Sequence, residues 1–254
     1  LLKYFLFRLR ISRFIFLKRK YYKMWVWKSP FAFWLWTHES KVRKDEEFIN
    51  KFLKTGDVFV DCGAHLGTLT MTGSKKVGIK GKGIACEPTP TTFSYLKENI
   101  KDNSCHNVVL HKLAVGEKIK SVLFKTSYIS DMNHISDEGN VEVQMSTLDH
   151  LLKNEKEITL LKLDIEGQEL EALKGAKNIL PKVSAVYFES APETLNRMGY
   201  TLFDVVEFLS AFGFRVYSQG DDFEVTEIDK GYQTKQRYED LIAVKDINFY
   251  NKRV

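Results

Sequence analysis

The chain reads as an α/β protein, a mostly parallel sheet covered by helices on both faces. Short, near-continuously apolar runs such as VFVD (58–61) and ITLLKLD (158–164) alternate with amphipathic segments of helical spacing. Four of these runs end on acids, Asp61, Glu87, Asp164 and Glu189. A length of 254 residues with 44% hydrophobic content suffices for one sizeable core. Sheets of this kind bind ligands beyond the carboxyl ends of their strands, so those four acids are the residues to weigh.

Taken in order, residues 40–54 have helical spacing, with Val42, Phe48, Ile49, Phe52 and Leu53 apolar among charges, and TGD (55–57) breaks the pattern. VFVD is the first strand and 66–76 a helix; KGIACE (82–87) is the second strand. Thr89, Pro90 and Thr91 start a helix whose Phe93, Leu96 and Ile100 share a face. NVVLHKLAV (107–115) is the third strand. SVLFKT and VEVQMS, within 119–146, form a β-ribbon around the polar tip YISDMNHISDEGN. A short helix (147–153) leads to the fourth strand, ITLLKLD. EGQELEALKGAKNIL is a helix, with Pro181 just beyond its end, and VSAVYFES (183–190) is the fifth strand. A helix at 201–212 and the strands FRVYSQ (214–219) and DLIAVK (240–245) complete the set.

The net charge of +5 is unevenly spread. Residues 1–38 carry nine Lys or Arg and no acid, and residues 39–254 sum to −4. The body is therefore not a nucleic-acid binder by charge. We divide the chain into a basic, aromatic N-terminal helical arm (1–38) and a main domain (39–254). The arm's uncharged stretches are far shorter than the ~20 residues of a membrane span, and too interrupted for a signal peptide. Two readings of residues 1–36 stand open. One is peripheral membrane association, with Trp25, Trp27, Trp34 and Trp36 at headgroup depth. The other is packing on the main domain or on a second subunit of a homo-oligomer. The chain begins at Leu1, which leaves room for sequence upstream. Cys62, Cys86 and Cys105 are an odd set without metal-like spacing and suit a reduced, cytoplasmic setting.

VDCGAHLG (60–67) places a glycine turn directly after a strand. A dinucleotide fingerprint has Gly-x-Gly-x-x-Gly there, whereas this turn has His65 in place of the middle glycine. Asp61, two residues before Gly63, would repel a pyrophosphate but suits the ammonium of an amino-acid moiety. Glu87, ending the second strand, can accept both hydroxyls of a ribose. The bland alternative is a tight strand-to-helix turn with a capping acid.

The order DVFVDCGAHLGTLT, ACEPTPTTFSYLKENI, LHKLAVG, STLDHLL, LLKLDIEGQELEALKGA and AVYFES resembles the FkbM family of S-adenosylmethionine-dependent methyltransferases, over about residues 55–192. The resemblance implies a Rossmann-like class I methyltransferase fold, seven-stranded, with the last strand antiparallel. It implies S-adenosylmethionine as cofactor and O-methylation of a sugar, glycoconjugate or polyketide-like hydroxyl. Carried over, Asp61, Gly63, Ala64, His65 and Gly67 form the loop at the methionine end, Glu87 holds the ribose, and Ala114 lies beside the adenine.

For a hydroxyl acceptor, an oxygen must be aligned behind the methyl and its proton removed. Asp164, Glu166 and His134 are the candidates for that proton. Glu166 has a second reading as a cap of the following helix, and His134 a second reading as a solvated loop residue. Glu189 either lines the acceptor pocket or is paired by a cation. His65, His106, His111 and His150 also suit packing or surface roles. Asp164 and Glu166 alone are too few ligands for a metal site, and none is expected. Two other functions stay open: a nicotinamide-dependent dehydrogenase, disfavoured by Asp61 and the missing glycine, and a non-catalytic membrane-associated protein that kept the fold.

Overall fold

A computed structural model of the chain describes residues 2–26, 30–38, 43–126, 134–136, 138–234 and 237–254. Most of the ribbon tip, and Trp27 and Val42, therefore lie outside the described residues. The chain opens with helix α1 (Leu2–Arg8), the hairpin β1 (Phe16–Lys18) and β2 (Lys23–Trp25), and helices α2 (Pro30–Thr37) and α3 (Lys44–Phe52). The arm is thus not helical throughout, because a hairpin interrupts it. Its aromatic and β-branched residues favour strand as readily as helix, and Leu17, Tyr22, Met24 and Val26 turn inward.

The main sheet begins with β3 (Val58–Cys62), α4 (Thr68–Val77), β4 (Lys82–Cys86), α5 (Pro90–Asp102) and β5 (Val108–His111). The ribbon region contributes β6 (Ala114–Val115), β7 (Lys120–Lys125), β8 (His134–Ile135) and β9 (Val141–Ser146) to a separate four-stranded sheet. There follow α6 (Leu148–Leu151), β10 (Ile158–Leu163), α7 (Glu169–Lys174), β11 (Val183–Ser190), α8 (Pro192–Arg197), α9 (Leu202–Ser210), β12 (Arg215–Gln219), β13 (Val225–Glu227), β14 (Glu239–Val244) and α10 (Ile247–Asn251).

The main sheet runs β13-β12-β14-β11-β10-β3-β4-β5. Strands β5, β4, β3, β10 and β11 are parallel, and β14 joins β11 antiparallel. The sheet has eight strands rather than seven: β13, which pairs Tyr217–Gln219 with Val225–Glu227, is the addition. It is a three-residue strand with only Val225 apolar, which leaves no periodic signal to read. The α/β class is the one expected.

Alternation along the strands sorts the core. Val60, Leu161, Leu163, Val186 and Phe188 pack on one face of the sheet. Phe59, Leu160, Ala185, Tyr187 and Ile242 pack on the other, beneath Phe48 and Phe52 of α3. A third cluster joins Leu17, Met24, Leu35 and Trp36 of the arm to Leu66, Met71, Leu96 and Ile100.

Two elements differ from expectation. The run 107–115 is not one strand; it leaves the main sheet after His111, which pairs with Cys86, and Ala114–Val115 instead pairs with Met145–Ser146. The helix expected to reach Leu180 ends at Lys174. Gly175 packs so close to Gly116 that an added Cβ would lie 2.2 Å from its carbonyl oxygen. Beyond it, the Asp149 carboxylate accepts the backbone N–H groups of Asn178 and Ile179, both at 2.9 Å, and the Ile179 N–H also reaches the Ala176 carbonyl at 3.0 Å.

Candidate active site

A cavity of about 520 Å³ opens beyond the carboxyl ends of β3, β4, β10 and β11. Its wall includes Asp61, Gly63, Ala64, His65, Glu87, Ala114, Asp164, Glu166, Glu189 and His134. Every site residue read from the sequence lies on it except Gly67, which shapes the turn. Parallel pairing makes this convergence unavoidable: Asp61 sits opposite both Lys162 and Ala85 in register, so neighbouring strands end at one level.

The turn after β3 is built from positive φ at Gly63 (77°), His65 (50°) and Gly67 (87°), a region that glycine enters without cost. At Gly63 a Cβ would fall 1.9 Å from the Asp164 carbonyl oxygen. The N–H groups of Gly63 and Ala64 both donate to the Cys86 carbonyl at 3.0 Å, which ties the turn to β4. The His65 N–H donates to Glu87 Oε2 at 3.2 Å. Glu87 Oε1 accepts from the Thr89 N–H at 3.0 Å and the Thr89 hydroxyl at 2.6 Å. Burial pushes the Glu87 carboxyl above its ordinary range, and these donors pull it back. A carboxylate oxygen has about two acceptor positions, so Oε2 retains one in the cavity wall. That position can accept one hydroxyl of a ribose diol. The apolar side chains of Leu113, Ala114 and Val115 line the same cavity.

Asp61 is differently placed. It is 1% exposed; its Oδ2 accepts from the Thr70 hydroxyl at 2.5 Å, and its Oδ1 lies 3.2 Å from Lys162 Nζ. The ammonium that Asp61 was expected to meet in a ligand is thus already supplied by β10. Lys162 Nζ also lies 3.3 Å from Asp164 Oδ2 and donates to the Gly63 carbonyl at 3.1 Å. Burial alone pulls this ammonium down, but Asp164 and Asp61 outweigh it and hold the lysine firmly protonated. The signal for Lys162 was present in the sequence, as the one charge inside an otherwise apolar strand, but its partner on another strand was not.

Glu166 stands at the apex of the loop before α7 with φ 59° and lines the cavity. Glu169, unread in the sequence, ties this loop to the start of α7: its Oε1 accepts the N–H groups of Ile165 at 3.0 Å and Gly167 at 3.3 Å. Burial pushes the Glu169 carboxyl up to about 7. Glu189 is pushed up to about 9, by burial and then by the nearby Asp164 and Asp240. The ribbon brings Phe124, His134 and Ile135 over the cavity. The arm side adds two residues that no motif marked: the Phe31 ring lies 5.1 Å from the His65 ring, and the Arg43 guanidinium 5.0 Å from Phe31. His106 and His150 do not reach this wall.

A glycine turn after the first strand, acids ending the first, second and fourth strands, and an antiparallel strand completing a parallel sheet define a class I methyltransferase fold. The family model for the methyltransferase FkbM domain matches residues 61–216, and the chain belongs to that family. It is 29% identical over 155 residues to a hexuronic acid methyltransferase, AglP, of Haloferax volcanii, a match covering 58% of this chain and 63% of that one. It is 27% identical over 142 residues to methyltransferase 1 of Beauveria bassiana, covering 46% of this chain and 57% of that one. The chain thus spans roughly three-fifths of the curated relatives it matches. The crystal structure of an FkbM methyltransferase from Methylobacillus flagellatus superposes with a TM-score of 0.56 at 17% identity, covering 82% of this chain and 49% of that one, a likeness of fold. Family and fold together imply S-adenosylmethionine as the cofactor.

Proposed function

We propose that the protein transfers a methyl group from S-adenosylmethionine to a hydroxyl of a sugar or glycoconjugate. The observation that carries this reading is the convergence of Glu87 and Asp164 on one cavity, with an acceptor position left open on Glu87 Oε2. The relative named as a hexuronic acid methyltransferase supports a carbohydrate acceptor. When bound, S-adenosylmethionine supplies an electrophilic methyl on a sulfonium. Glu87 would accept a hydrogen bond from the ribose, the Gly63–Gly67 turn would hold the methionine end, and Leu113, Ala114 and Val115 would border the adenine.

At the reacting end, Asp164 is fixed by the Lys162 ammonium at 3.3 Å and half-exposed to the cavity. Asp164 would take the proton of the acceptor hydroxyl as that oxygen is methylated. Glu166 and His134, on the same wall, orient the sugar's other hydroxyls. The test is transfer of labelled methyl to a panel of neutral and uronic sugars, free, nucleotide-linked and lipid-linked. A base-stable methyl ether is expected. A base-labile methyl ester would place the methyl on a carboxylate and contradict the hydroxyl assignment.

A further inference from the structure

The exposed large apolar side chains are concentrated in one stretch of the chain, residues 2–16. Leu2, Phe5, Leu9, Ile11, Phe14 and Phe16 are each between 43% and 70% exposed. Elsewhere among the described residues such side chains are scattered, as Ile79, Ile119 and Tyr238 are. Scattered exposure needs no explanation, whereas a contiguous group marks a contact surface. We propose that residues 2–16 dock the protein on an anionic lipid surface, an inference that stands apart from the methyl-transfer reading.

Charge selects the occupant. Arg8, Arg10, Arg13 and Lys18 are exposed among these apolar residues, and no ion pair among the described residues engages them. The Arg13 guanidinium lies 4.8 Å from the Phe14 ring and Lys23 Nζ 5.6 Å from the Phe16 ring, so cation and aromatic face outward together. Residues 1–38 contain no acid. Self-pairing of this face across a two-fold axis would set cations against cations. An anionic lipid headgroup layer over hydrocarbon answers both components, the charge and the apolar rings.

The face is held in place from behind. The Tyr22 hydroxyl donates to Glu46 at 2.8 Å, and Arg19 lies 3.8 Å from the same carboxylate. The Lys23 N–H donates to Asn103 Oδ1 at 2.9 Å, and Asn103 Nδ2 returns a bond to the Lys23 carbonyl at 2.6 Å. Leu17, Tyr22, Met24 and Val26 fill the interior side. Trp36 is buried, and Trp25 and Trp34 are half-buried, so the contact lies on the phenylalanines and leucines and not on the tryptophans. No helix among the described residues is long and apolar enough to cross a membrane.

The experiment is cosedimentation of the full chain with phosphatidylcholine vesicles prepared with and without phosphatidylglycerol. The chain and its Phe5→Glu/Phe14→Glu variant are compared, and sedimentation velocity is run on both. We expect binding only to the anionic vesicles, weakened by added salt, and about tenfold or more weaker in the variant at an unchanged melting temperature. Absence of binding, equal binding to both vesicles, or unaltered binding by the variant overturns the proposal. A dimer that the variant dissociates overturns it too, by placing a second copy on this face.

Discussion

The Lys162 ammonium lies within 3.3 Å of both Asp61 and Asp164, and Asp61 has no comparable access to water. Removing one member of a buried charge pair leaves the other uncompensated, typically at a cost of several kcal/mol. Lys162→Met, similar in length and apolar, should lower stability by about 3 kcal/mol in denaturant titrations. An unchanged midpoint would mean that Thr70 alone satisfies Asp61. Glu169 gives a pH signature. Its folded-state pKa, about 7, lies above that of an unfolded glutamate because burial opposes its ionisation. The folded state then binds more protons than the unfolded one between about pH 4.5 and 7, so stability falls as pH rises through that window. Glu189 and Asp240, raised to about 9 and about 7, act in the same direction. Glu169→Gln should flatten the slope of melting temperature against pH, and an unaltered slope would assign the effect to the other two acids.

Among the elements, the strands and the glycine turn were legible because buried parallel strands are short apolar runs and a positive-φ turn calls for glycine. Val183–Ser190 matches its expected bounds residue for residue. What escaped was set by tertiary contacts. The run 107–115 carries no internal mark of a change of sheet, and α7 stops at Lys174, where Gly175 packs against Gly116 of another segment. The acids at the strand ends were readable for the same reason as the strands, whereas Lys162 required the register of β10 against β3, and Phe31 and Arg43 the fold of the arm. The turn itself offers a test. Gly63→Ala adds a Cβ 1.9 Å from the Asp164 carbonyl at a φ of 77°. It should displace the β10 loop and lower the melting temperature by several degrees, about 1–3 kcal/mol of strain. A variant as stable as the parent would show that the two loops are not packed this tightly.

Across the whole molecule, three separate stretches of chain build one cavity: the strand ends of the main sheet, the ribbon with His134, and the arm side with Phe31 and Arg43. The arm shares a buried cluster with α4 and α5, and Phe31 packs against that cluster. The family match covers residues 61–216, which include Asp61, Glu87, Asp164 and Glu189 but neither Phe31 nor Arg43. The central claim is that this cavity takes S-adenosylmethionine, with Glu87 on its ribose. Calorimetric titration with S-adenosylhomocysteine, with NAD as a parallel, tests it most directly. The account predicts dissociation constants on the order of micromolar for the first ligand and no binding of the second. Glu87→Ala should weaken the first by about tenfold or more, from the ~1.5–3 kcal/mol of a hydrogen bond to a charged group. No binding of S-adenosylhomocysteine, or preferential binding of NAD, would contradict it.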